Sequence, residues 1–176
     1  LSALAMATQK VRLGVLVTGN TYRHPAVLVK MATTLDIISQ GRLILGLGAG
    51  WFKLEHKTFG IPFPGIRERL QRLDEALTVI TRLWTEERVT FAGQYYQLTD
   101  ALLNPRPVQQ PHPPILVGAT GERVALDIVA RHANIWNGFG SPEIFERKIA
   151  VLSEHCRKAG RDPETIEKSA LLQMTL

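Results

Sequence analysis

The sequence predicts an α/β fold built on a parallel sheet. Two observations carry this: short apolar segments alternate with amphipathic ones along the chain, and the short segments are apolar on both faces. With 176 residues, 45 % hydrophobic and 21 % charged, the chain is long enough to bury a substantial core.

The elements follow in order. The apolar start lacks a basic leader, which predicts the end of a helix and no signal peptide. Residues 11–17 are rich in β-branched side chains and predict a strand, broken by Thr18, Gly19 and Asn20. Pro25 opens a helix with Leu28, Met31, Leu35 and Ile38 as its apolar stripe, and Gly41 ends it. Residues 42–47 form the next buried strand, closed by Gly48, Ala49 and Gly50. Residues 65–84 give the clearest helix, with Ile66, Leu70, Leu73, Leu77, Ile80 and Trp84 recurring at threes and fours.

A hairpin and a proline-rich tract, together near 88–114, interrupt the alternation. The tract reads as an extended surface connector. Residues 115–117 are a third core strand, followed by Gly118, Ala119, Thr120 and Gly121. A helix over 123–132 points Val124, Ile128 and Val129 inward, and 134–137 is a short strand. Ser141 caps and Pro142 opens a helix that Gly160 ends. Asp162 and Pro163 start a helical turn, and 169–176 is the fifth strand.

Strand–helix alternation of this kind requires right-handed crossovers in a parallel sheet. Two architectures satisfy it: a doubly wound parallel sheet, or about five-eighths of a (β/α)₈ TIM barrel. Periodicity does not choose between them.

Composition excludes several function classes. The net charge of +5 is not concentrated in a block; Arg67, Arg69 and Arg72 alternate with Glu68, Asp74 and Glu75 on one helix. No zinc finger, RNA-binding signature or basic–aromatic stripe points to nucleic acid, and no apolar run reaches the ~20 residues of a membrane helix. No cluster has metal-ligand spacing, and no serine-hydrolase motif occurs. A single cysteine, Cys156, excludes an internal disulfide framework, fits a reducing cytoplasm and reads as a buried apolar residue.

Several segments together resemble the luciferase-like monooxygenase family, in particular its deazaflavin-dependent branch. They are the run from Val11 to Val17, Tyr22-Arg23-His24-Pro25, Ser39-Gln40-Gly41-Arg42, Gly46-Leu47-Gly48-Ala49-Gly50-Trp51 with Glu55-His56, Gly93-Gln94-Tyr95-Tyr96, Pro113 to Ala119, and Ala133 to Asn137. The order is right over nearly the whole chain. The resemblance implies a single barrel domain over 1–176, incomplete, carrying about strands 3 to 7.

It also implies an oxidoreductase transferring a hydride between coenzyme F-420, a deazaflavin, and a small organic substrate. The alternatives are a monooxygenase using reduced FMN, and a non-catalytic fragment that binds a phosphate-bearing ligand. The basic balance favours F-420, whose tail is polyglutamate. Neither a nucleic acid nor a membrane is expected as partner, and an oligomer of identical chains is compatible with the sequence.

The family bulges its third strand against the coenzyme ring, often at a non-proline cis peptide; the matching positions are Leu16 and Val17. From the residues alone these belong to a core strand. Gly48, Ala49 and Gly50 end a strand at the mouth of a barrel, where small residues let a ring approach the backbone. Trp51 takes the place at which the deazaflavin branch can hold a proton-donating carboxylic acid. Trp51 donates none, which argues against the branch acting on sugar phosphates and suits it to line a substrate cavity.

Glu55 and His56 are the candidate general acid or base, against the plainer reading of an exposed loop pair. His24 reads as a helix-entry residue or a hydrogen-bond donor to the coenzyme edge. Gly118, Ala119, Thr120 and Gly121 precede a helix start and match the family's phosphate loop. The plainer reading makes Thr120 or Gly121 a helix cap.

Overall fold

The computed structural model describes residues 1–171 and divides into two compact units, Leu1–Pro114 and a second beginning at Ile115. Each has its own core.

In the first unit, helix α1 (Ser2–Ala7) precedes two short strands, β1 (Leu13–Gly14) and β2 (Thr18–Gly19). Both pair in parallel with β3 (Leu43–Gly48): Leu13 lies opposite Leu43, Gly14 opposite Ile44, Thr18 opposite Leu47 and Gly19 opposite Gly48. The single strand expected over 11–17 is therefore corrected to two, and Thr18 and Gly19 belong to a strand rather than a break.

Helix α2 (Pro25–Ile38) connects them. Its buried face is Leu28, Val29, Ala32, Thr33, Leu35 and Asp36, so Met31, expected inward, is exposed. Leu73, Leu77 and Ile80 of α4 (Ile66–Thr85) are fully buried, each worth ~1.5–3 kcal/mol of transfer free energy. Ile66, at the head of the expected stripe, is exposed. Trp84 Nε1 donates to Thr33 Oγ1 at 2.9 Å, closing α4 onto α2. Between β3 and α4 lies α3 (Lys53–Thr58).

The predicted hairpin is β4 (Arg88–Ala92) and β5 (Gln97–Leu102), antiparallel. The proline-rich tract that follows is not a plain connector. Asp36, completely buried, accepts hydrogen bonds from Val108 N (2.7 Å), Gln109 N (3.1 Å) and Gln109 Nε2 (2.7 Å). Leu103, Pro107 and Pro113 are buried as well. A carboxylate that deep needs donors, and this tract supplies them from two backbone N–H groups and the Gln109 side chain.

The second unit alternates β6 (Ile115–Gly118), α5 (Ala125–His132), β7 (Ile135–Gly138), α6 (Pro142–Lys158) and β8 (Glu167–Ala170). The three strands are parallel neighbours in that order, with Val117 opposite Trp136 and Trp136 opposite Lys168. Ile115, Val117, Leu126, Ile128, Trp136 and Leu152 form the core, with Cys156 among them. Ser141 Oγ accepts from Ile144 N as the predicted cap of α6. Helix α5 begins at Ala125, two residues later than expected, and Val124 is exposed. Residues 172–176, expected to extend the last strand, lie outside the described residues.

Candidate functional site

The first candidate segment lies where β1 passes into β2. Val15, Leu16 and Val17 oppose only Leu45 and Gly46 on β3, because the paired residues on either side are Gly14 with Ile44 and Thr18 with Leu47. That is a one-residue bulge, the device that re-aims side chains beside functional sites. The Leu16–Val17 peptide is cis. The backbone irregularity expected at these two residues is present. Their expected place in the core is not: Leu16 is 56 % exposed and Val17 half-buried.

Gly46 makes the bulge sterically feasible, since a Cβ there would collide with the Val15 carbonyl oxygen. Gly48 ends β3 buried, Ala49 is half-buried and Gly50 adopts φ +80°. A side chain at Gly50 would be strained by that φ and would also press on Thr21 Oγ1 at 3.1 Å. The three residues thus form a low cradle next to exposed apolar groups. Trp51 is 83 % exposed, and its ring lies against that of Phe52 with centroids 5.2 Å apart.

Glu55 and His56 do not form an exposed loop pair. They sit on α3, and His56 is completely buried. Its Nδ1 lies 2.8 Å from the Phe52 carbonyl, which accepts only, so Nδ1 carries the proton. Nε2 of the neutral ring then accepts from Thr21 Oγ1 at 2.6 Å. With both nitrogens engaged and the ring stacked on Tyr22 (4.9 Å) and packed on Phe63 (4.5 Å), His56 holds α3 against the segment after β2. Glu55 accepts a short hydrogen bond from the Tyr22 hydroxyl. That bond, with burial and the nearby carboxylate charge, holds the Tyr22 phenol above its ordinary range.

His24 enters α2 as predicted, its Nδ1 accepting from Ala26 N at 3.2 Å. Its ring stands edge-on to Tyr96 at 5.2 Å. Asn20, buried, donates through Nδ2 to the Tyr96 hydroxyl at 3.1 Å. Tyr96 itself is set by Glu75, whose carboxylate accepts from Gln94 N, Tyr95 N and Tyr96 N at 2.8–3.1 Å. None of Asn20, Thr21, Tyr22, Glu75 and Tyr96 was read as a site residue from sequence, although Tyr22 and Tyr96 lie in segments that carry the family resemblance. Asn20, Thr21 and Tyr22 fall in what reads as a turn, and the hairpin's partner on α4 is fixed only by tertiary structure.

The second candidate segment is in the other unit. Ala119 is committed at both backbone groups: its N–H donates to Asn137 O (3.1 Å) and its carbonyl accepts from Trp136 Nε1 (2.9 Å). It therefore offers no N–H to a ligand. Thr120 and Gly121 are exposed. Neither caps α5; a turn over 122–124 intervenes, and Leu126 N donates to Gly121 O at 3.0 Å. Beside the loop, Glu122 is paired with Arg147 at 2.7 Å. Among the described residues, no group of three or more His, Cys, Asp or Glu could hold a metal ion, and no helix is long and apolar enough to cross a membrane.

Strand order, buried parallel strands and the bulged strand define the class: an α/β chain with the fold of an incomplete (β/α)₈ barrel, as its structural neighbours show. The doubly wound alternative is set aside. The chain belongs to the luciferase-like monooxygenase family, whose model matches residues 1–175. It is 37 % identical over 171 residues to an F420-dependent glucose-6-phosphate dehydrogenase of Microbacterium testaceum, covering 95 % of this chain and 50 % of that protein. It is 33 % identical over 173 residues to an F420-dependent hydroxymycolic acid dehydrogenase of Mycobacterium tuberculosis, covering 98 % and 47 %.

Among solved structures, the coenzyme F420-dependent tetrahydromethanopterin reductase of Methanopyrus kandleri superposes with a TM-score of 0.85 at 29 % identity, over 96 % of this chain and 52 % of that one. The chain spans about half the length of the curated relatives it matches. Relatives named for glucose 6-phosphate, the branch that Trp51 argued against, stand among the matches.

Proposed function

We propose that this chain is part of an oxidoreductase that transfers a hydride between coenzyme F-420 and a small organic substrate. The observation that carries the reading is the similarity over almost the whole chain to two kinds of F420-dependent dehydrogenase, at 37 % and 33 % identity. The structure contributes the fit: a bulge that exposes Leu16, beside a cradle of Gly48, Ala49 and Gly50 that a Cβ at Gly50 would disturb. An apolar surface with small residues at a strand end suits a planar ring.

When bound, such a deazaflavin supplies two-electron hydride chemistry. Leu16 and Val17 would back the ring, and Gly48, Ala49 and Gly50 would let it approach the backbone. Trp51, exposed at the same strand end, would line the substrate space. In the second unit, Gly118, Thr120 and Gly121 would take the coenzyme phosphate, with Ala119 holding the loop through its own backbone bonds. His56, with both ring nitrogens engaged, positions α3; Glu55, through Tyr22, is the remaining acid–base candidate.

A monooxygenase using reduced FMN is the second reading. It rests on the monooxygenase RslO1 of Streptomyces bottropensis, 30 % identical with a TM-score of 0.80. We take both units as parts of one barrel domain working in a reducing cytoplasm, as the lone thiol suits. Titrating the protein with F-420 and with FMN, each followed by its own fluorescence, tests the reading. Tighter binding of F-420 is expected; tighter binding of FMN would overturn it.

A further inference from the structure

The first unit holds a half-open cleft of about 330 Å³ to which the hydride chemistry assigns no role. It is lined by Asn20, Thr21, Arg23 and His24 from the segment after β2, by Pro62 and Pro64, by Glu68 and Arg72 of α4, and by Tyr96 of the hairpin. Three separate elements converge on it.

The polar groups of this lining are mostly donors. Ala26 N donates to Nδ1 of His24, so the neutral imidazole carries its proton on Nε2. Asn20 Nδ2 donates to the Tyr96 hydroxyl, so the phenol's own proton remains for another acceptor. Arg23 is an exposed guanidinium whose Nη1 stands 3.4 Å from Thr18 Oγ1. Arg72 adds a second guanidinium, paired with Glu68 at 2.8 Å and lying over the Tyr95 ring at 4.5 Å. Against these stands one carboxylate, already neutralised by its partner. Asn20 is buried, and its Oδ1 has no hydrogen-bond partner among the described residues. That oxygen is an acceptor, so it calls for a hydroxyl or N–H carried by the ligand beside its anionic group, not for the anion's own oxygens.

We propose that this cleft binds the oxyanion of a small molecule, a carboxylate or a phosphate, with Arg23, His24 and Tyr96 as the donors. Guanidinium groups match the planar or tetrahedral oxygens of such anions, and the bonds are charge-assisted. The volume admits a small metabolite and excludes a polymer other than by its end. None of these residues belongs to the bulge, the glycine cradle or the loop at Gly118, and Arg23 and Tyr96 have no part in the coenzyme reading; His24, weighed from sequence as a donor to the coenzyme edge, is assigned to the cleft instead.

The test is an NMR titration of the protein with inorganic phosphate and, separately, with acetate, at ionic strength held constant with chloride. The ring signals of His24 and Tyr96 report occupancy. Saturable shifts with either anion are expected, and which anion saturates identifies the source. Arg23→Gln should weaken binding at least about tenfold, and Glu68→Gln, which removes the one carboxylate and releases Arg72, should tighten it. Shifts that match chloride alone, or that are the same in wild type and both variants, would overturn the proposal.

Discussion

The carbonyl oxygen of Val15 fills the space that a side chain on Gly46 would need. The bulge on one strand and the glycine on the next are therefore a matched pair. Gly46→Ala should destabilise the protein by roughly 1–3 kcal/mol, because backbone rather than a flexible side chain must move. Gly121→Ala is the control: its new Cβ would meet only Ala125 Cβ at 3.6 Å, so a change within about 0.5 kcal/mol is expected. Urea unfolding of both variants checks the contrast. Equal effects would mean that the bulge is not held against Gly46.

Asp36 ties the proline-rich tract to α2. Asp36→Asn keeps the size but turns one acceptor into a donor facing Val108 N and Gln109. The cost should be about 3 kcal/mol, since buried hydrogen bonds to a charged group are lost and a donor is left unpaired. Amide exchange at Val108 and Gln109 should quicken more than elsewhere in the protein. Unchanged protection there would show that other contacts hold the tract.

These two features mark where sequence reading succeeds and where it stops. Local chemistry reveals the cap at Ser141, the proline that opens α2 and the hairpin around Gly93, because each depends on a few adjacent residues. The irregularity at Leu16 and Val17 was legible only by resemblance. The burial of Asp36 was not legible, because the donors that justify it lie about seventy residues away. His56 misled for the same reason, since Thr21 and Phe52 satisfy it only after α3 has folded onto the segment following β2. Long-range satisfaction of polar groups leaves no periodic trace in sequence.

Tyr22 gives a pH-dependent signature. Its phenol donates to Glu55, and ionising it would set a phenolate against a carboxylate, so its folded pKa lies above the ordinary 10.0. A raised pKa contributes stability that is fully present below the unfolded value and is lost as pH rises through the folded one. Following tyrosinate absorbance, one of the three tyrosines should ionise at higher pH than the usual range. Tyr22→Phe should remove that step and Glu55→Gln should move it down. An alkaline step that survives Tyr22→Phe would belong to another tyrosine.

Cys156 is fully buried on α6, and burial pushes its thiol up. A thiolate is the reactive form, so both access and ionisation are suppressed. A disulfide-exchange reagent at mildly alkaline pH should leave the native protein unmodified and label it completely in denaturant. Rapid labelling of the native state would place the α5–α6 layer in frequent local opening.

The loop at Gly118 gives the sharpest test of the coenzyme reading. Ala119 is bonded at both backbone groups, so beyond Gly118 the backbone left to meet a phosphate is that of Thr120 and Gly121, both exposed. Gly121→Asp places a carboxylate there. The substitution should fold normally, because the new Cβ would meet nothing nearer than Ala125 Cβ at 3.6 Å and Gly121 does not adopt a positive φ. Coenzyme affinity should fall at least about tenfold, or roughly 1.4 kcal/mol, from repulsion of one anion by another. Gly121→Asn, similar in shape but uncharged, should recover most of that loss and so separates charge from bulk. Fluorescence titration of the three proteins with F-420, beside a thermal melt, reads both quantities. Unchanged affinity in a correctly folded Gly121→Asp would remove the phosphate from this loop while leaving the ring assignment at Leu16 and Val17 to be judged on its own.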